Sequence, residues 1–73
     1  MDQKDIQIGH KIKNTRRKLG ITQADLSRKL SISPTYLNLM ESGKRKINLD
    51  LLLKMANELN IEMSDISKKT DTN

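Results

Sequence analysis

Apolar residues recur at helical spacing in four stretches of this chain, each bounded by residues suited to helix ends. Ile8, Ile12, Thr15 and Leu19 mark a helix over residues 6–19, with basic residues between them. Asp5 stands where an N-cap is wanted, Gly20 suits a left-handed stop, and Gly9 weakens the first turns. Thr22 caps a second helix over 23–30, its hydroxyl accepting from a backbone amide that has no partner within the helix. Ala24, Leu26 and Leu30 give this helix apolar surface, and Ser27 is small enough to let another helix cross close by. Ser33, followed by Pro34 at the first helical position, signals a third helix over 34–42. Only Ser31, Ile32 and Ser33 separate the second helix from the third, so the chain must turn sharply there.

In the third helix Leu37 and Met40 are three apart and face inward, which turns Thr35, Asn38, Leu39 and Ser42 toward the other side, with Tyr36 at the edge. A loop over 43–47 carries Lys44, Arg45 and Lys46. Asn48 caps a fourth helix over 49–59 with Leu52, Met55, Ala56 and Leu59 as its core stripe, and Asn60 serves as its stop. Leu49, Leu51 and Leu53 exceed what one narrow stripe requires. Ile61, Met63 and Ile66 follow, with Ser64 and Asp65 at a short fifth helix, before a polar, frayed tail over 67–73. No strand, repeat or low-complexity stretch interrupts this order, so the expectation is an all-α, compact five-helix domain over 1–66 with its central helix pair at about 23–42.

Length and composition narrow the function. The chain has 73 residues, and so short a domain buries only about 60% of the surface its unfolded form exposes. Compact helix packing or a partner subunit is expected to help. There is no cysteine and His10 is the one histidine, which removes disulfides, thiolate metal sites and most zinc or triad arrangements. His10 itself reads as a solvated helix residue. The chain has no glycine-rich phosphate loop, no nucleophile with an evident base and no carboxylate pair in a plausible cleft, so no enzyme, cofactor, metal or small-molecule site is expected. No apolar run approaches the ~20 residues that cross a bilayer, and MDQKD is not a signal peptide, so a soluble cytoplasmic protein without membrane contact is expected.

Charge points to a partner. The net charge is +5 and the pI about 9.8, with Lys11, Lys13, Arg16, Arg17 and Lys18 crowding one segment and Lys44, Arg45 and Lys46 another. Such clustering suggests nucleic acid more than a high average charge does. Tyr36 is the only aromatic residue, too few for the stacking platforms that bind single strands, so double-stranded DNA is the expected partner.

The run LGITQADLSRKLSISPTYLNLMESGKRK, with LLKMANELNI after it, resembles the Cro/cI-type (XRE) helix-turn-helix family, lambda-repressor-like in fold, over about residues 8–66. Gln23 opens the first motif helix, Leu26 and Ser27 fill its apolar and small positions, and Leu30 ends it. Leu37 and Met40 bury the second, and Glu41, Ser42 and Gly43 close it. More narrowly, SPTYLNLMESGKRKI is similar to the DNA-binding end of short-chain fatty acyl transcriptional regulators. Those are much longer and carry a C-terminal sensing region with no counterpart in these 73 residues, so sensing is not carried over.

The resemblance implies that the third helix lies in the major groove and reads bases from its N-terminal half, here Pro34, Thr35, Asn38 and Leu39, with Ser33 near the backbone. Asn38 suits an adenine edge, and Thr35 or Leu39 a thymine methyl, whereas no arginine on this face offers the bidentate guanine contact. An A·T-leaning half-site with reliance on DNA shape is therefore expected. Leu39 equally suits a role in core or interface. Gln23 is expected to reach a phosphate, or else to be an ordinary exposed helix start. The Tyr36 hydroxyl either meets a phosphate or belongs to a purely packed ring, and Lys44 and Arg45 are expected on phosphates. Arg16 and Glu41 match a partly buried ion pair of relatives that ties the first helix to the motif. Ser31 stands where relatives often have glycine, so a positive φ there carries a cost.

Together these readings predict a homodimeric transcriptional repressor on a palindromic operator, its dimer contact supplied by Leu51, Ile61, Met63 and Ile66 around the fifth helix. The alternative is an antitoxin or adaptor that mainly binds a protein, which Leu39 and the surplus leucines favour and the basic loop opposes.

Overall fold

A computed structural model describes residues 3–62, folded as α1 (Gln3–Lys18), α2 (Gln23–Leu30), α3 (Pro34–Glu41) and α4 (Leu49–Leu59). No strand occurs among the described residues. The expected fifth helix at Ser64 and Asp65, with Met63 and Ile66, and the tail over 67–73 lie outside them.

Three helices start on side-chain caps. Thr22 Oγ1 accepts from the Asp25 amide at 3.0 Å, Ser33 Oγ from the Tyr36 amide at 3.1 Å, and Asn48 Oδ1 from the Leu51 amide at 2.8 Å. Each satisfies an amide that the helix leaves without a partner, an interaction of about 1 kcal/mol. These caps set the starts of α2, α3 and α4 where the sequence places them, and α3 ends one residue earlier than expected. The first helix differs more. It begins at Gln3, so Asp5 lies inside the first turn, where its carboxylate favours the positive end of the helix dipole without capping it.

All four helices end in the same reversal. Gly20, Ser31, Gly43 and Asn60 adopt left-handed φ values of 72°, 58°, 80° and 56°. After α1, the Gly20 amide donates to the Arg17 carbonyl and the Ile21 amide to the Arg16 carbonyl. The same paired bonds recur at Ser31–Ile32, Gly43–Lys44 and Asn60–Ile61. This is the Schellman arrangement, which satisfies carbonyls the helix end would otherwise orphan. Ile21, Ile32 and Ile61, each following the left-handed residue, pack against the core.

Ile12, Leu26, Leu30, Leu37, Met40, Leu51, Leu52, Met55 and Leu59 form one buried core, with α1 and α2 both packed on α3 and α4. Three sequence expectations change here. Leu19 is 51% exposed, because α1 stops at Lys18 and the reversal at Gly20 sends Ile21 inward in its place. Ala24 is exposed, leaving Leu26, Ser27 and Leu30 as the buried face of α2. Leu51 is buried and Ile61 packs on the core, so neither is spare for a partner, while Leu49 and Leu53 stay 66% and 46% exposed. The α4 stripe is simply wider than a minimal one.

Gly9 has a role the spacing did not reveal. It is buried where α1 crosses α3, and a Cβ there would collide with the Met40 carbonyl oxygen and press on that of Glu41. The missing side chain lets the two backbones approach.

Candidate nucleic-acid interface

The α3 sequence PTYLNLME turns Leu37 and Met40 into the core at 0% exposure and leaves Pro34, Thr35 and Asn38 in solvent. Ser33, at the cap, is exposed too, whereas Tyr36 and Leu39 are half-buried along the edges of the helix. Pro34, Thr35 and Asn38 join Gln23 in lining an open hollow of about 230 Å³. Gln23 is the first residue of α2, and Pro34 and Thr35 are the first two of α3, so the hollow lies where two helix starts converge. Their dipoles place partial positive charge there, suited to an anionic partner.

A buried ion pair fixes that convergence. Arg16 Nε donates to Glu41 Oε2 at 2.7 Å and Arg16 Nη2 to Glu41 Oε1 at 3.0 Å, a two-pronged contact between α1 and the last residue of α3. Arg16 Nη1 also donates to the Ile21 carbonyl at 2.8 Å, binding the reversal between α1 and α2 to the same guanidinium. Gln23 Nε2 then donates to Glu41 Oε1 at 2.9 Å. One carboxylate, only 1% exposed, thus holds α1, the start of α2 and the end of α3. Because only the amide nitrogen can donate to a carboxylate, this bond also orients the Gln23 carboxamide. Its carbonyl oxygen and second amide hydrogen take no part in the bond to Glu41.

The basic loop is fastened as tightly. The Leu39 carbonyl accepts from the Lys44 amide at 2.8 Å, the Arg45 amide at 3.2 Å and Ser42 Oγ at 3.1 Å. The Arg45 guanidinium carbon lies 5.1 Å from the centre of the Tyr36 ring, within cation–π range. Lys44, Arg45 and Lys46 are all exposed. Two features here escaped sequence reasoning. The Gln23–Glu41 bond joins residues 18 apart, and the Arg45–Tyr36 contact depends on the reversal at Gly43, whose only advance signal is a glycine just past a helix end.

Known proteins are similar to this chain in sequence and in fold. A helix-turn-helix family model matches residues 12–66. The HTH-type transcriptional regulator RamB of Mycobacterium tuberculosis is 29% identical over 65 residues, covering 89% of this chain and 14% of RamB. The propionyl-CoA carboxylase regulator of Cereibacter sphaeroides is 33% identical over 62 residues, covering 85% of this chain and 13% of that protein. The HTH-type transcriptional regulator ImmR of Bacillus subtilis is 32% identical over 73 residues, covering 92% of this chain and 58% of ImmR. The chain therefore spans about one seventh of the first two relatives and less than two thirds of ImmR. Among solved structures, the clp gene regulator ClgR of Corynebacterium glutamicum superimposes with a TM-score of 0.84 at 23% identity, over 90% of this chain and 70% of that one. That likeness establishes the fold.

Proposed function

The chain belongs to the XRE-type helix-turn-helix family, and from that premise we propose that residues 1–66 form the double-stranded-DNA-binding domain of a cytoplasmic transcriptional regulator that represses its targets, with 67–73 a polar tail. The observation that carries this reading is the exposed hollow lined by Gln23, Pro34, Thr35 and Asn38, together with a basic loop fastened to the same helix. In this reading α3 enters the major groove. Asn38 meets an adenine edge, Thr35 and the uncovered part of Leu39 meet thymine methyls, Pro34 stands with them at the base edges, and Ser33 lies near the backbone. Gln23, held by Glu41, directs its remaining amide hydrogen to a phosphate, as do Lys44 and Arg45 with their own donors, while the Tyr36 ring packs beside Arg45. Arg16 and Glu41 touch no DNA; they set the angle at which the reading helix is presented.

A homodimer places two such helices on a palindrome, with half-sites about one helical turn, ~34 Å, apart. Leu49 and Leu53, four apart on α4 and both exposed, support such a contact. Among the described residues no helix is long and apolar enough to cross a membrane. Selection of bound sequences from random duplex DNA tests the reading. The expected product is a pair of A·T-leaning half-sites about one turn apart, and a bound pool no different from the input would contradict base reading. The same exposed leucines favour a second reading, an antitoxin or adaptor whose main partner is a protein. It requires that substituting Leu49 and Leu53 abolish function while DNA affinity stays unchanged.

A further inference from the structure

The reading helix carries no basic residue of its own: PTYLNLME holds neither lysine nor arginine. A cation reaches its side instead from beyond its end. The reversal at Gly43 carries the chain back, the Arg45 amide bonds to the Leu39 carbonyl at 3.2 Å, and the Arg45 guanidinium settles 5.1 Å from the Tyr36 ring centre. Tyr36 is the third residue of α3, so this contact brings the charge back toward the helix start. We propose that Tyr36 is a positioning residue that acts through Arg45, the two forming one phosphate clamp beside the first turn of α3. This rests on the DNA-binding function set out above.

The chemistry of the pair supports the assignment. A ring under a guanidinium occupies its face and uses none of its five N–H donors, which all remain for a phosphate. An arginine free in solvent must lose its rotamer freedom when it binds, and one already seated on a ring loses less. Tyr36 is the only aromatic residue in the chain, and among the described residues Arg45 is the cation that stands over its ring. The ring therefore acts on one cation, and its contribution to affinity must vanish when that cation is removed.

A double-mutant cycle on the full 73-residue chain tests this. Tyr36→Leu, Tyr36→Phe and Arg45→Ala, singly and with Tyr36→Leu and Arg45→Ala combined, are titrated onto a random-sequence duplex at several salt concentrations, with helical content checked for each. Tyr36→Leu should weaken binding by roughly two- to fivefold when Arg45 is present and should have no effect in the Arg45→Ala background. Tyr36→Phe, which keeps the ring, should bind like the parent. Arg45→Ala should lower the slope of log K against log salt by about 0.9. The proposal is overturned if Tyr36→Leu costs the same in both backgrounds, which would mark a packing role, or if Tyr36→Phe loses as much as Tyr36→Leu, which would mark a hydroxyl contact. A parent chain that binds no duplex at low salt would overturn the DNA-binding function itself, and this inference with it.

Discussion

The reversal after α2 and the reversal after α3 share one backbone and serve opposite ends. Both end a helix with a left-handed residue, Ser31 at φ 58° and Gly43 at φ 80°, and both close with the same pair of backbone hydrogen bonds. They differ at the next residue. Ile32 packs against the core, as Ile21 and Ile61 do at the other two helix ends, whereas Lys44 points into solvent. An apolar residue at this position anchors the following segment by burial. A lysine there leaves the segment held by backbone bonds to Leu39 and by the Arg45–Tyr36 contact, with its charge outside. Three reversals thus build the fold, and the fourth builds a surface.

Substitutions test that contrast, and the largest effect belongs to the carboxylate that holds α1, the start of α2 and the end of α3 together. Glu41→Ala strands Arg16 in a buried site and releases Gln23, and should cost roughly 3–5 kcal/mol in denaturant unfolding. A cost under about 1 kcal/mol would show that the pair is not structural. Ile32→Lys, which gives the α2 reversal the residue of the α3 reversal, should lower stability by about 1–2 kcal/mol in the same assay, because Ile32 is half-buried. Ser31→Gly removes the strain of a side chain at positive φ, partly offset by the freer unfolded chain, and should raise the unfolding midpoint by an amount equivalent to about 0.5–1 kcal/mol. Lys44→Ile, the reciprocal exchange, should change stability by less than about 0.5 kcal/mol. Its effect should fall on DNA, where the salt slope drops by about 0.9.

The same contrast explains what was legible in the sequence. Helix starts at Thr22, Ser33 and Asn48 were plain because a capping side chain acts on an amide two or three residues away. The left-handed serine at 31 was legible only through the resemblance, in which glycine often stands at that position. Periodicity locates Leu26, Leu37, Met40, Leu52, Met55 and Leu59 in the core, but it cannot tell which edge of a broad stripe lies inward, which leaves Leu51 read as surplus; Leu19 is misplaced for another reason, the end of α1 at Lys18. Gly9 looked like a weak point in a helix because its value lies in a neighbour brought near only by folding. At the candidate site, the residue types of α3 and the basic loop were visible, whereas their fastening was not. The bonds of Gln23 to Glu41 and of the loop to Leu39, and the seat of Arg45 on Tyr36, arise from tertiary crossings and one chain reversal.

On DNA the solvent-facing reversal should supply affinity for the polyanion, while α3 supplies a modest preference among sequences. A gel shift of the 73-residue chain against random-sequence duplex DNA, titrated with salt, tests it most directly. Binding at low salt is expected, with log K falling linearly with log salt and a shallower slope for Lys44→Ile. Absence of binding at low salt, or binding indifferent to salt, would contradict it.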